Sequence, residues 1–109
     1  MKVVTATEIP AYVPDGHWGV EARTLAAGDP LEMMMCVMEP GGGAESHTHA
    51  DRPQMLLVTE GELTISAGDA APVAVGAGHT AWFQPGESHE VHNRQSVPAR
   101  YFAVSVIPG

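Results

Sequence analysis

The chain has 109 residues, 44% apolar and 17% charged, which suits one domain with one modest core, spanning 1–109, and excludes a disordered chain. The formal net charge is -8, and the five basic residues (Lys2, Arg23, Arg52, Arg94, Arg100) are scattered, so no face for nucleic acid or anionic lipid is expected. No run approaches the ~18 apolar residues of a membrane span and no apolar signal core opens the sequence, so a cytoplasmic protein without a membrane partner is expected.

Twelve glycines and nine prolines punctuate the chain, which favours short strands and tight turns over helices. Pro10 and Pro14 break any helix in the first 18 residues. Trp18 to Leu25 alternates loosely and reads as a strand, followed by a turn at Gly28-Asp29-Pro30. Leu31 to Met38 is apolar except for Glu32, so both faces of that strand should be buried. One face can pack into a barrel; the other needs a partner, which predicts a homodimer. Cys36 lies in this run and reads as a small buried hydrophobe; as the sole cysteine it can form no intrachain disulfide.

Pro40-Gly41-Gly42-Gly43 is expected to stop that strand, and Ser46 to His49 to form a separate short one. Gln54 to Val58 and Glu62 to Ser66 follow, joined by a Glu60-Gly61 turn. Gly68-Asp69 turns into Pro72 to Val75, and Gly76-Ala77-Gly78 into Thr80 to Phe83. After Pro85-Gly86-Glu87 come His89 to Asn93 and finally Arg100 to Ile107. Short strands at this spacing predict an all-β sandwich or barrel, with no repeat and no linker.

The histidines carry the chemistry. His47 and His49 are two apart on an expected strand and so share a face. Gln54 opens the next strand after a turn at Pro53, and His89 follows a second Pro-Gly turn. Three imidazoles and an amide oxygen meeting at one point would suit Zn, Mn, Fe, Ni or Cu. His17 and His79 read as surface residues. Glu45, two before His47, and His92, three past His89, are candidate acid–base groups. Strict alternation turns His92 outward unless a bulge intervenes. Leu56, Val58, Phe83, Val91 and either Met55 or the Met33–Met38 strand are expected to line a mostly apolar pocket.

Two segments resemble the cupin superfamily. The first cupin motif runs Gly, five residues, His-x-His, three or four residues, Glu, six residues, Gly. This chain has Gly41, His47-Thr48-His49, Gln54 and Gly61 at that spacing. The second runs Gly, five residues, Pro-x-Gly, two residues, His, three residues, Asn; here stand Gly78, Gln84-Pro85-Gly86, His89 and Asn93. Gln54 replaces the motif's Glu, and Gln84 its first Pro. The resemblance implies a double-stranded β-helix (a jelly-roll barrel) with one divalent metal ion (Zn, Mn, Fe or Ni) on His47, His49, Gln54 and His89. Within the superfamily the pattern is similar to hydroxynitrile-lyase-like cupins, which share Trp82-Phe83-x-Pro85-Gly86-Glu87-x-His89. It also resembles sugar-acid tautomerases, and small polyketide cyclases share its size.

Gln in place of Glu bears on the reaction. Four neutral ligands leave the ion's charge at about +2, which strengthens it as a Lewis acid and disfavours a trivalent state. That points to lyase, isomerase or cyclase chemistry on a small, largely apolar carbonyl or hydroxyl compound, a polyketide among the candidates. The alternatives are a quercetin-type dioxygenase and a non-catalytic module that binds a small molecule.

Overall fold

The structure is a computed structural model describing residues 1–28, 30–49 and 51–106. Among the described residues, after a 3-10 turn at Ala6–Glu8, every regular element is a strand: β1 (His17–Ala27), β2 (Leu31–His47), β3 (Gln54–Glu60), β4 (Glu62–Ala67), β5 (Val73–Gly76), β6 (Thr80–Phe83), β7 (His89–His92) and β8 (Ala99–Val106). The expected Asp29 turn position and the end of the last strand at Ile107 lie outside the described residues. No helix among the described residues is long and apolar enough to cross a membrane.

The strands join edge to edge in the order β5-β4-β7-β2-β8-β3-β6, with β1 also paired to β2, and the sheet curls into a nearly closed barrel. This is the double-stranded β-helix that the motifs imply. Alternation explains which side chains enter it. In β3, Gln54, Leu56 and Val58 are buried while Met55 and Leu57 face out; in β8, Ala99, Tyr101, Ala103 and Ser105 are buried. Val20, Met38, Val58 and Leu63 are fully buried in the apolar core of the barrel.

One expectation about β2 is corrected. Pro40-Gly43 does not end the strand; the strand continues through it to His47. Before this corner, Leu31 to Met38 pairs with β8; after it, Gly43 to His47 pairs with β7. The glycines permit the bend. Gly41 sits at φ +81, and a Cβ on Gly42 would meet two backbone oxygens at 2.8 Å. A breaker-rich segment thus hands the strand from β8 to β7 without ending it. Gly61 is similarly required at the β3–β4 turn: φ is +75, and a Cβ would lie 2.6 Å from the Pro98 carbonyl oxygen.

The apolar run of β2 is also less covered than its composition suggests. Cys36 and Met38 are buried on the inner face. On the outer face Leu31 is 48% exposed, and Met33, Met35 and Val37 are half-buried.

Candidate metal centre

Three elements bring His47, His49 and His89 together at the open end of the barrel. His47 is the last residue of β2, paired with His89, the first of β7. His49 lies just beyond β2, not on a strand as expected; its carbonyl oxygen accepts the Gly86 N–H at 2.9 Å. The Pro85-Gly86 turn therefore holds His49 as well as introducing His89. Ring centroids are 4.3 Å apart for His47–His89, 5.2 Å for His47–His49 and 6.0 Å for His49–His89. One nitrogen from each ring falls in a group whose members all lie within 4.8 Å of one another.

Backbone contacts set the rings' orientation. His47 Nδ1 lies 2.8 Å from the Glu45 carbonyl oxygen, and His89 Nδ1 3.3 Å from that of Glu87. A carbonyl can only accept, so each Nδ1 carries the hydrogen and each Nε2 keeps a lone pair. This is how outer contacts prepare imidazoles for metal binding. Phe83 stacks on His89 at 3.8 Å and 3°, fixing the ring plane. His89 Nε2 is buried with no hydrogen-bond partner. An orphaned lone pair facing two further imidazoles would be satisfied by a metal ion, and the residues fit one.

Gln54 is buried beside them. Its Nε2 donates to Ser105 Oγ at 3.4 Å, leaving Oε1 as the donor atom for an ion.

The electrostatics agree. Burial lowers the His89 pKa to about 4; the Glu87 carbonyl opposes this, while His47 and His49 add to it. His49 is lowered too, first by burial, then by His47 and Arg52, with Asp51 and Glu32 pulling the other way. Neutral imidazoles are the form that binds metal.

The centre opens into a cavity of about 410 Å³. Its wall is mainly apolar: Met34, Cys36, Leu56, Val91, Tyr101 and Ala103. Leu56 and Val91 line it as expected. Met55 does not: the pleat turns it outward. Val58 is buried in the core and Phe83 stacks on His89; neither lines the cavity. Burial raises the Cys36 thiol to about 11, with a Tyr101 contact opposing, so Cys36 is an inert part of the wall.

The candidate acid–base residues separate. Glu45 reaches the cavity mouth, exposed and packed over Gly16. His92 is not brought to the site: it faces out, 3.8 Å from Glu90 and with its ring 5.8 Å from Trp18. Alternation from His89 holds along β7, and no bulge reverses it. His79 is exposed as expected. His17 corrects the surface reading, since it lines the mouth with its ring 5.9 Å from that of His47. A register shift between Trp18 and Val20, at Gly19 with φ +63, changes which face β1 presents. Simple alternation hides His17; the Gly19 punctuation is the one signal that could reveal it.

Comparison with known proteins agrees with this geometry. The family model described as "Cupin domain" matches residues 34–105. A predicted oxalate decarboxylase from Thermotoga maritima superposes with TM-score 0.87 at 22% identity, covering 98% of this chain and all of that one. The polyketide cyclase RemF from Streptomyces resistomycificus gives 0.88 at 22% identity, over 99% of this chain and 80% of that one. A sugar phosphate isomerase of the cupin superfamily from Silicibacter pomeroyi gives 0.85 at 19% identity, over 98% and 76%. No curated protein matches the sequence significantly. The chain belongs to the cupin family.

Proposed function

We propose that this cupin is a metal-dependent enzyme that uses Lewis-acid chemistry, of lyase, isomerase or cyclase type, on a small and largely apolar carbonyl or hydroxyl compound. The observation that carries this is the buried, partnerless His89 Nε2 among converging imidazoles at the end of an apolar cavity. Zn, Mn, Fe or Ni would be held by His47, His49, His89 and the Gln54 oxygen. Such an ion, with no anionic ligand, supplies charge at about +2 to stabilise a developing oxyanion. The chain's own groups orient and select. Phe83 and the Glu45 and Glu87 carbonyls fix the imidazoles, and the apolar wall favours a substrate with one polar end. Structural relatives that act as a cyclase and an isomerase support this reading at the level of fold. Elemental analysis after purification without chelator should give one divalent ion per chain. A panel of carbonyl compounds, assayed with and without oxygen, should then show turnover that needs the metal and not oxygen. Metal-free protein, or turnover only with oxygen consumption, would overturn the proposal.

We also propose a homodimer. The outer face carries two cross-strand apolar rows, Met33–Val104–Met55–Trp82 and Met35–Phe102–Leu57. Trp82 is 66% exposed in the single chain. A continuous apolar sheet face of this kind suits a second copy. Sedimentation should give twice the 11.5 kDa chain mass; a monomer at micromolar concentration would refute it. The single buried cysteine suits a reducing compartment such as the cytoplasm.

A further inference from the structure

Glu32 is the one charged residue in the apolar run Leu31–Met38, and it points inward. Alternation puts it on the face of β2 that also presents Met34 and Cys36 to the cavity. A carboxylate on such a wall gives up part of its hydration, a cost that packing alone would avoid with another apolar residue. The register gives its neighbours. Glu32 stands opposite Ser105 of β8, and Ser105 opposite Gln54 of β3. The three form one row across adjacent strands, and Ser105 already accepts the Gln54 amide N–H. Glu32 is outside the group of ligand atoms within 4.8 Å, so it does not join the histidines on one ion. Its charge nevertheless acts on His49. It lines the same cavity as the ligands, on the wall that β2 shares with β8 and β3. Among the described residues the other cavity carboxylates, Asp15 and Glu45, are exposed at the mouth.

We propose that Glu32 is the proton-transfer residue of this site. The role rests on the Lewis-acid reading above. As a substrate C–H or O–H bond breaks, a Glu32 carboxylate oxygen forms a bond to the proton. The electron pair of the broken bond stays on the substrate and is drawn toward the oxygen facing the histidines. Return of the proton to the same or a neighbouring substrate atom restores the carboxylate, and no oxidant or reductant is needed.

The test uses zinc and acetohydroxamate on the full chain. Acetohydroxamic acid must give up a proton to chelate, and a nearby base can keep it. Calorimetry first measures zinc affinity, then acetohydroxamate affinity for the zinc-loaded protein. Repeating it in buffers of different ionisation enthalpy counts the protons released. Glu32→Gln should bind zinc within about threefold of wild type, whereas loss of an outer support for a ligand would cost about 10-fold or more. Its acetohydroxamate affinity should fall by about 10-fold or more, the loss of one charge-assisted hydrogen bond. Proton release should rise from near zero toward about one per site. Glu32→Asp, which keeps the charge but draws it back, should fall between. Glu90→Gln, outside the cavity, should match wild type. Unchanged hydroxamate affinity and proton count in Glu32→Gln, or a loss found instead in Glu45→Gln, would overturn the role while leaving the metal intact. A wild-type chain that takes up no zinc would sink the Lewis-acid reading at the first titration, and the Glu32 role with it.

Discussion

His89 opens β7 and Asn93 directly follows its last residue; they lie four residues apart and are 2% and 1% exposed. The fold treats them oppositely. Asn93 Nδ2 donates to the carbonyls of Met38 and Val97, both at 2.9 Å, and Oδ1 accepts the Gln95 N–H at 2.9 Å. Its backbone also bonds to Gly41 and Gly42. Asn93 thus clasps the glycine corner where β2 changes partners. His89 has one nitrogen anchored to a carbonyl and the other left buried without a partner. A fully satisfied buried polar group holds structure; one left unsatisfied in a converging cluster is held ready for a ligand.

The comparison can be broken most readily at Asn93. Asn93→Ala removes three hydrogen bonds, one of them to the buried Met38 carbonyl, so stability should fall by roughly 3 kcal/mol in urea unfolding. A loss under about 1 kcal/mol would show that the corner needs no clasp. His89→Ala should leave the metal-free chain folded but weaken metal binding by at least about 100-fold, measured by competition with a chelator. Near-native affinity would mean that His47, His49 and Gln54 suffice without it.

Gln54→Glu sharpens the ligand side. The carboxylate keeps an oxygen donor and adds charge, so metal should bind at least as tightly. Lewis acidity should drop, slowing a non-oxidative reaction by about 10-fold. An unchanged rate would remove the charge argument, and new oxygen consumption on a flavonol would put a dioxygenase in its place.

The sequence reveals these two residues equally well. The cupin spacing marks both His89 and Asn93, because local turn chemistry at Gly78 and Pro85-Gly86 fixes their separation. Strand faces in β3 and β8 follow from alternation alone. What stays hidden depends on register between distant strands. The Gly41–Gly43 corner reads as a stop until β7 is seen to take over the pairing from β8. His17 reaches the mouth because of a shift at Gly19 opposite β2. Glu32 can be read as an interruption in an apolar run, but only its alignment with Ser105 and Gln54 gives it a place in the site.

The smallest effect expected is one of pH on the metal-free chain, and it separates the two residues by chemistry. Asn93 does not titrate. His89 does, with a pKa of about 4 when folded against an ordinary 6.5 when unfolded. The unfolded chain therefore binds the proton first as pH falls. The stability due to neutral His89 is complete above pH 6.5 and is lost as pH drops toward about 4. His49, lowered in the same direction, adds to the slope. One group contributes at most about 1.4 kcal/mol per pH unit. Urea midpoints of chelator-treated protein should fall between pH 6.5 and 4.5, and in His89→Ala the fall should be shallower. Asn93→Ala should be less stable at every pH by a similar amount, with the wild-type slope. An unaltered slope in His89→Ala would mean that His89 is not what makes the open end acid-sensitive, and that His49 or the carboxylates are.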